Sequence, residues 1–283
     1  MKVFLLTIIV LAIALNGVPG TTKNAPQRPK SLHKYWSSIA MKSSTWNGYE
    51  RLDFEFEGRK CILALPSSPA QNKPWIWRTE FFDAWPAADI ALLGKGFHVA
   101  YINMENMYGG PVGLKHMNLF YDYLTRERGL SKKVLLEGFS RGGLFAYNWA
   151  ARNATKVAGI YADAPVCDFK SWPGGKGHGS GSPEEWDRLK NVYNLTEQEA
   201  IDYKYNPIDN LKPLADAHIP LLHVCGDSDD VVPMDENTSI VAERYRKLSG
   251  SIEVISKPGC GHHPHSLEDP TPIVNFALRY VKV

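Results

Sequence analysis

The sequence predicts an α/β fold built on a mostly parallel central sheet. Two observations support this prediction. Short apolar segments alternate with amphipathic ones along most of the chain, and 44% of the 283 residues are apolar, enough for a sizeable core. The 32 basic and 30 acidic residues nearly balance and form no run of like charge. Composition therefore indicates neither a nucleic-acid partner nor a membrane-surface protein.

The first twenty residues are typical of a secretory signal peptide. A lysine at position 2 precedes a largely apolar segment, residues 3–15, and the sequence Val18-Pro19-Gly20 follows as a cleavage site. A transmembrane helix needs about 20 apolar residues, so this segment is too short to remain as a span. We expect a secreted or periplasmic protein. Residues 21–48 are then a polar leader on the surface of a domain that begins at residue 49.

The domain is expected to begin with a β-hairpin. Leu52, Phe54 and Phe56 alternate with charged residues, a Glu-Gly-Arg turn follows at 57–59, and residues 61–65 form a continuous apolar run. The alternation predicts a half-buried strand, and the apolar run predicts a buried one.

Strands and helices then alternate to the end of the chain. Strands are predicted at 97–103, 133–138, 156–162, 220–226 and 252–257, and helices near 79–93, 114–128, 141–152, 234–248 and 271–281. This order places helices on both faces of a parallel sheet. The interval 167–205 breaks the alternation, is glycine-rich at 174–182, and is too long for an ordinary connection. We expect a lid insertion there, with Trp172 and Trp186 facing the substrate.

One serine in the stretch "VLLEGFSRGGLFAYNWA", residues 134–150, has the setting of a nucleophile. Ser140 lies in a G-x-S-x-G pattern between a predicted strand and a predicted helix. Chance alone gives this pattern in about one such chain in ten, so the interpretation depends on its position. On a strand-to-helix turn the serine backbone is strained, and flanking glycines permit close packing. The helix N-terminus favours negative charge, and the Arg141 backbone N–H is expected to donate to an oxyanion.

A serine hydroxyl needs a base, and the base needs a carboxylate to orient it. Three acids follow the predicted strand at 220–226, in "GDSDDVVP", and three histidines follow the last strand, in "PGCGHHPH". Serine, acid and histidine therefore occur in the order expected for an α/β-hydrolase, each at the carboxyl end of a strand.

From about residue 50 to its end the chain resembles the α/β-hydrolase superfamily, in the branch that includes acetyl esterases and prolyl-oligopeptidase-like domains. The segments "GFSRGG", "GDSDDVVP" and "KPGCGH" are similar to the nucleophile, acid and histidine segments of that family. The resemblance implies an α/β-hydrolase fold, with Asp229 as the acid and His262 as the base. Most lipases carry His-Gly after the third strand, whereas this chain has "PSSPAQNKPWIWRTEF". The second oxyanion donor therefore stays open.

Alternatives exist for both the acid and the base. Asp227 and Asp230 flank Asp229 and are interpreted as turn or capping residues. Asp163, after the predicted strand at 156–162, is the alternative acid, and His265 is the alternative base.

The three histidines within residues 262–265 also suit zinc. We nevertheless predict no metal, because adjacent His262 and His263 are not expected to converge on one ion from an extended loop. His263 and His265 are interpreted as surface or supporting residues. No organic cofactor is indicated.

Aromatic residues are concentrated where the oxyanion loop of the family is expected. Trp75, Trp77 and Trp172 are predicted to bind substrate, because a tryptophan-rich rim stacks well on sugar rings. The alternative for Trp75, Trp77, Trp85 and Tyr108 is packing in the core.

The four cysteines can form up to two disulfides in an oxidising compartment. Cys61 and Cys225 lie in apolar, strand-like runs, where a buried free thiol is an equal alternative.

Together these features predict a secreted serine hydrolase that cleaves carboxylic esters through an acyl-enzyme, with acetyl or aromatic esters on polysaccharides as the first substrate class. The expected partner is a small-molecule or carbohydrate ester, with no nucleic acid and no membrane after signal cleavage. A prolyl-type peptidase and a non-catalytic binding protein with a hydrolase fold are the alternatives.

Overall fold

The computed structural model describes residue 36 and residues 38–282. The strands in this part of the chain are β1 Met41–Trp46, β2 Tyr49–Phe56, β3 Arg59–Leu65, β4 Trp75–Arg78, β5 His98–Ile102, β6 Val134–Phe139, β7 Val157–Asp163, β8 Leu221–Gly226 and β9 Ile252–Lys257. The helices there are α1 Ala87–Leu93, α2 Pro111–Arg126, α3 Gly142–Arg152, α4 Pro183–Tyr193, α5 Glu197–Ile201, α6 Lys212–Asp216, α7 Thr238–Lys247 and α8 Thr271–Tyr280.

The strands form one sheet in the order β1-β2-β3-β5-β4-β6-β7-β8-β9. From β5 to β9 in that order, every neighbouring pair is parallel. The strands β1, β2 and β3 pair antiparallel, and β3 is antiparallel to β5. The predicted α/β-hydrolase fold with a mostly parallel sheet is therefore confirmed.

Helices cover both faces of this sheet. Every residue of β6, β7 and β8 is buried, which explains why these strands are largely apolar in the sequence. Successive residues of a strand point to opposite faces. Leu135 accordingly packs in one cluster with residues of α1 and α8, whereas Leu136 packs in another with residues of α2, α3 and α7.

The amino-terminal boundary of the domain differs from the prediction. Residues 41–46 were expected in a surface leader, but they form β1, which pairs with β2 from Met41 opposite Phe54 to Trp46 opposite Tyr49. Four of the six residues of β1 are exposed. Backbone pairing rather than burial holds this edge strand, so its sequence lacks the apolar alternation that would identify it.

The segment before β5 also differs. A helix was expected near 79–93, but α1 begins only at Ala87, and the unpredicted β4 lies just upstream between β5 and β6. The residues between β4 and α1 form a loop in which Phe81, Asp83 and Trp85 have left-handed backbone conformations, with φ of 53°, 74° and 47°. A helix cannot form through such residues.

The predicted signal peptide, residues 1–20, lies outside the described residues. Within the described part, none of the helices has the length and apolar character needed to cross a bilayer. All four cysteines are free thiols, so neither of the two disulfides considered above is present. Three of the thiols are buried, and Cys260 is partly exposed.

Candidate active site

The turn between β6 and α3 places Ser140 at the carboxyl edge of the sheet. Its φ of 49° is a left-handed conformation, which is costly for a residue with a side chain. The Ser140 N–H donates to the Asp163 carbonyl oxygen at the end of β7, and the Ser140 carbonyl oxygen accepts from the N–H groups of Gly143 and Val166, each at 2.9 Å. These backbone bonds hold the strained residue in place. The predicted strained turn is therefore present.

The glycines around Ser140 are required by close packing. A Cβ on Gly138 would lie 2.9 Å from the Gly142 carbonyl oxygen, and one on Gly143 would lie 2.7 Å from Pro165 Cβ. Both distances are shorter than a carbon atom tolerates without displacement of its neighbours. Larger residues would push α3 away from β6 and move Ser140.

Ser140, His262 and Asp229 are joined by hydrogen bonds. His262 Nε2 lies 3.0 Å from Ser140 Oγ, and His262 Nδ1 lies 2.8 Å from Asp229 Oδ2. Both His262 and Asp229 are buried, whereas Ser140 is partly exposed. A proton on Nδ1, held by the carboxylate, leaves the Nε2 lone pair free to accept the serine proton. The arrangement is competent for nucleophilic attack by a serine hydroxyl.

Asp229 is held as a carboxylate. Burial alone would raise its pKa, but hydrogen bonds from His262 and from the N–H groups of Val232 and Val231 outweigh burial and hold the pKa below its ordinary value. Both N–H groups lie 2.9 Å from Asp229 Oδ1. Of the flanking acids, Asp227 accepts from the Gly259 N–H at 2.7 Å and links the acid loop to the histidine loop, while Asp230 is exposed.

The alternative acid and the alternative base are partners of each other. His265 Nδ1 lies 2.8 Å from Asp163 Oδ1, and Asp163 Oδ2 accepts from the Ser266 N–H and the Tyr161 hydroxyl, at 2.8 and 3.0 Å. Neither side chain is hydrogen-bonded to Ser140 Oγ. Asp163 therefore anchors the loop that carries His262.

This loop is bent rather than extended, and it gathers three imidazoles. His262, His263 and His265 each offer a ring nitrogen, and these atoms all lie within 4.8 Å of one another. The argument that His262 and His263 cannot converge is therefore wrong. The chain bends at His262, Pro264 and Ser266, and the bends bring side chains from successive positions to one side.

Arg141 follows the nucleophile and is the N-cap residue of α3. Among the described residues its backbone N–H has no acceptor, so it is free to donate to a bound group. Its side chain pairs with Glu80 Oε2 at 2.6 Å and with Glu185 Oε2 at 3.4 Å. Glu185, at the start of α4, also accepts from the Tyr108 hydroxyl. The insertion therefore contacts the residue next to Ser140.

Two of the predicted substrate-binding tryptophans lie in the core instead. Trp75 and Trp77 are fully buried in β4, where their rings stack at 5.5 Å and Trp77 meets Trp149 edge-on. The prediction that they bind substrate is wrong, because β4 is an interior strand and its side chains pack against the helices covering the sheet. The alternative of core packing holds for Tyr108 as well, which is buried.

The insertion packs in an apolar cluster that it shares with Tyr108, Leu144, Val166 and Val232. Trp186 is buried against Phe169, and its indole N–H donates to Glu197 at 2.8 Å. It therefore does not face a substrate, contrary to the prediction. Trp172 is half-buried and packs against the same cluster.

A buried charged cluster beneath the nucleophile was not predicted. Arg78 and Asp89 form an ion pair at 2.5 Å, and Glu137 lies 3.6 Å from Arg78, with all three side chains at most 1% exposed. Burial raises the pKa of Glu137 well above its ordinary value, which favours the neutral form of this carboxyl beside the Arg78–Asp89 pair. The Arg78 guanidinium also lies 4.4 Å from the Phe139 ring centroid. The cluster supports the strand end that carries Ser140.

A cavity of about 460 Å³ opens beside Arg141. Its lining combines charged, hydroxyl and aromatic groups, including Arg51, Glu80, Phe81, Tyr101, Glu105 and Arg141. Phe81 is 39% exposed, and the Arg141 guanidinium lies 5.3 Å from its ring centroid. The sequence offered one signal for this surface, the aromatic residues after β4, but it could not separate exposed Phe81 from buried Trp75 and Trp77.

Comparisons with known proteins identify the family and the fold of the chain. Residues 115–282, more than half of the chain, match the sequence profile of the prolyl oligopeptidase family. A search of curated proteins gave no significant match. Many solved structures share the fold. Porphyromonas gingivalis dipeptidyl peptidase 4 is similar with a TM-score of 0.62 at 16% identity, over 86% of this chain and 35% of the peptidase.

Two further similar structures are a second peptidase and a lipase. A Bacteroides ovatus protein assigned as a dipeptidyl aminopeptidase IV gives a TM-score of 0.59 at 16% identity, over 86% of this chain and 35% of that one. An Acinetobacter baumannii protein assigned as a lipase gives a TM-score of 0.53 at 13% identity, over 92% of this chain and 97% of the lipase chain. This chain thus spans about a third of the length of either peptidase. At these identities the likeness shows the fold alone.

Proposed function

Since the chain belongs to the prolyl oligopeptidase family and is a serine hydrolase, we propose that Ser140 is its nucleophile, His262 its general base and Asp229 the acid that orients the base. The continuous hydrogen-bonded chain Asp229–His262–Ser140, at 2.8 and 3.0 Å, is the observation that carries this proposal.

The chemical steps follow from these contacts. His262 Nε2 accepts the Ser140 proton as Oγ attacks a carbonyl carbon, and the imidazolium is stabilised by Asp229. The Arg141 N–H donates to the oxyanion. Collapse of the tetrahedral intermediate expels the alcohol, which takes the proton from His262. Water then attacks the acyl-enzyme with His262 again as base, which releases the acid and restores Ser140.

The loop after β4 is the proposed second side of the oxyanion site. A Cβ on Gly142 would lie 2.9 Å from Thr79 Oγ1 and 3.4 Å from Glu80 Cβ, so this loop packs directly on the turn that holds Ser140. In the described residues the N–H groups of Glu80 and Phe81 have no acceptor. Either group could complete the oxyanion site without a His-Gly motif.

The proposed substrate is a carboxylic ester, with acyl esters of carbohydrates as the first class. The cavity beside Arg141 offers hydroxyl, carboxylate and guanidinium groups around the exposed ring of Phe81. Sugars combine hydroxyl groups with apolar ring faces, so such a mixed surface suits them. The insertion, residues 167–205, acts in this proposal as a lid, because Glu185 of α4 contacts Arg141.

A prolyl-type peptidase is the second candidate. The family match and the likeness to two dipeptidyl peptidases favour it. The two carboxylates around the Arg141 side chain, Glu80 and Glu185, are both paired with its guanidinium. A peptide amine would have to compete with Arg141 for them, and this favours the ester.

The test is a rate comparison on one enzyme preparation. Acetylated and feruloylated sugars, simple nitrophenyl esters and proline amides are assayed beside Ser140→Ala as the control. We expect kcat/KM for the best ester to exceed that for the best proline amide by at least about 100-fold, a difference of about 3 kcal/mol in transition-state stabilisation. Faster cleavage of proline amides would make the protein a peptidase.

Export is a separate part of the proposal. It rests on the predicted signal peptide at residues 1–20, with cleavage after Gly20. The amino-terminal sequence of the protein recovered from outside the cytoplasm tests it, and an intact Met1 on the active protein would contradict it.

A further inference from the structure

We propose that His262, His263 and His265 form a binding site for one divalent transition-metal ion, of which Zn²⁺ is the best fit, and that the bound ion switches the hydrolase off. The binding itself depends only on the three imidazoles. The inhibition rests on the proposed function, because it requires His262 to be the base.

The three rings already have the separation that a metal site needs. Each pair of ring centroids is 4.9 Å apart, with interplanar angles from 76° to 82°. Zinc binds imidazole nitrogens at about 2.0–2.1 Å in tetrahedral sites, which places the centroids of two ligating rings about 5 Å apart and their nitrogens about 3.4 Å apart. The closest set of nitrogens lies within 4.8 Å. Rotation of the rings with a shift of about 1 Å therefore brings the donors onto one ion.

Two of the ligands are oriented by carboxylates. Asp229 holds His262 through Nδ1, and Asp163 holds His265 through Nδ1, each at 2.8 Å. A carboxylate behind an imidazole fixes the ring and makes its other nitrogen a better ligand, an arrangement that is common around zinc. Among the described residues, His265 Nε2 and both nitrogens of His263 carry no hydrogen bond. These atoms are available to an ion.

Trp85 packs against the three-histidine cluster. Its indole stacks on His263 with centroids 5.2 Å apart and an interplanar angle of 22°, and it meets His265 edge-on at 5.0 Å. His263 is exposed, so an ion has a path from solvent. Three imidazoles favour Zn²⁺, Cu²⁺ or Ni²⁺ over Mg²⁺ and Ca²⁺, which prefer oxygen ligands.

Metal binding and catalysis compete for the same lone pair. His262 Nε2 lies 3.0 Å from Ser140 Oγ and is the atom that accepts the serine proton in the proposed reaction. An ion on Nε2 removes that lone pair, so the occupied protein cannot activate Ser140. Zinc binding at this site therefore lowers the hydrolase activity, and a chelator that removes the ion restores it.

The experiment measures binding without any substrate. Zn²⁺ is titrated calorimetrically into the chelator-treated full-length protein, as wild type, Ser140→Ala, His263→Ala and His178→Ala. His178 is an exposed histidine 3.0 Å from Asp235 and 3.5 Å from Glu236, so its variant is a matched control and removes the rival surface site. We expect one ion per chain for wild type, Ser140→Ala and His178→Ala, and at least about tenfold weaker binding for His263→Ala.

A parallel ester assay then tests inhibition. Since His263 is outside the proposed reaction, His263→Ala should keep its activity and resist zinc. Three results overturn the site: no binding to wild type below about 1 mM, equal binding to wild type and His263→Ala, or loss of binding in His178→Ala. Zinc bound at the three histidines without loss of turnover overturns the inhibition. A protein that binds zinc but cleaves no ester or amide overturns the proposed function and leaves the site standing.

Discussion

Asp163 and His265 repeat the geometry of Asp229 and His262, with the same 2.8 Å between carboxylate oxygen and Nδ1, yet only His262 is within hydrogen-bonding distance of Ser140 Oγ. Both histidines belong to one loop. One pair faces the nucleophile, and the other ties the loop to the end of β7. The two aspartates should therefore differ in what their loss changes.

The first prediction separates the two aspartates. Asp229→Asn should lower kcat on the order of 10⁴-fold, because the amide favours the wrong imidazole tautomer. Asp163→Asn should change kcat by less than about tenfold and lower the free energy of unfolding by about 2 kcal/mol, because a buried acceptor of three hydrogen bonds is weakened. Ester kinetics and urea titrations measure the two effects. If the ranking of kcat were reversed, the acid would be Asp163.

The second prediction concerns Ser140. Ser140→Ala should remove turnover by about 10⁴-fold or more, since His262 then has no hydroxyl to activate. The left-handed φ of 49° remains strained for alanine, so we expect the unfolding midpoint to stay close to that of the wild type. Active-site titration with an acylating probe supplies the control. Retention of a large share of the activity would exclude the turn as the source of the nucleophile.

The third prediction concerns the charged cluster under the strand end. Arg78→Met leaves Asp89 buried without its cation and should cost about 3–5 kcal/mol of unfolding free energy. Glu137→Gln should cost less than about 1 kcal/mol, because burial raises the pKa of Glu137 and so favours a neutral carboxyl, whose shape the amide shares. Chemical denaturation of both variants tests the contrast. Equal losses of unfolding free energy in the two variants would mean that Glu137 is ionised in the folded protein.

The fourth prediction concerns pH. Burial lowers the pKa of His223 to about 3 from 6.5, and the ring is bonded to Tyr147 and Thr238. Between these two pH values the unfolded chain binds a proton that the folded chain does not. Stability from this residue is complete above about pH 6.5 and is lost as pH falls toward 3, by about 2 kcal/mol between pH 7 and pH 5.

The matched variant for this effect is His223→Gln. It should show a shallower decline of unfolding free energy between pH 7 and pH 5, whatever its stability at pH 7. Urea titrations at the two pH values give the slopes. Parallel slopes for the two proteins would show that His223 accepts a proton in the folded state.

The fifth prediction concerns the insertion. Trp186→Ala opens a cavity in the cluster around Phe169 and should cost about 3 kcal/mol. Trp172→Ala, at a half-buried position, should cost less and change KM more than kcat if the insertion acts as a lid. The pair of variants is compared by thermal unfolding and by kinetics on large and small esters. A Trp172 variant with unchanged KM for all esters would contradict the lid.

The sequence predicts the parts of this molecule in which local pattern and burial agree. Strands β6 to β8 are recognisable because a parallel strand covered on both faces is a largely apolar run, and Ser140 is recognisable because its turn requires nearby glycines. Strand β1 cannot be recognised from the sequence, since most of its residues are exposed and the strand is held by backbone pairing. Asp89 and Glu137, the partners of Arg78, lie 11 and 59 positions away in the chain. No local sequence pattern predicts a cluster of residues so far apart.

The histidine loop shows the same limit at the candidate site. The order of serine, acid and histidine follows from the topology of the sheet, and the resemblance to the α/β-hydrolase superfamily then singles out Asp229 and His262 among the neighbouring acids and histidines. The convergence of His263 with its neighbours depends on three bends within a few residues, and their direction is set by contacts with Asp163 and Trp85. Those contacts exist only in the folded protein.

The four free cysteines have a practical consequence for experiments in solution. Burial raises the pKa of Cys225 to about 12 and raises the pKa values of Cys61 and Cys167 as well, so these thiols should resist alkylation in the folded protein. Cys260 is partly exposed and precedes His262 by two residues. The native chain thus carries a single labelling position, and a fluorophore attached there would follow the histidine loop as esters or ions arrive.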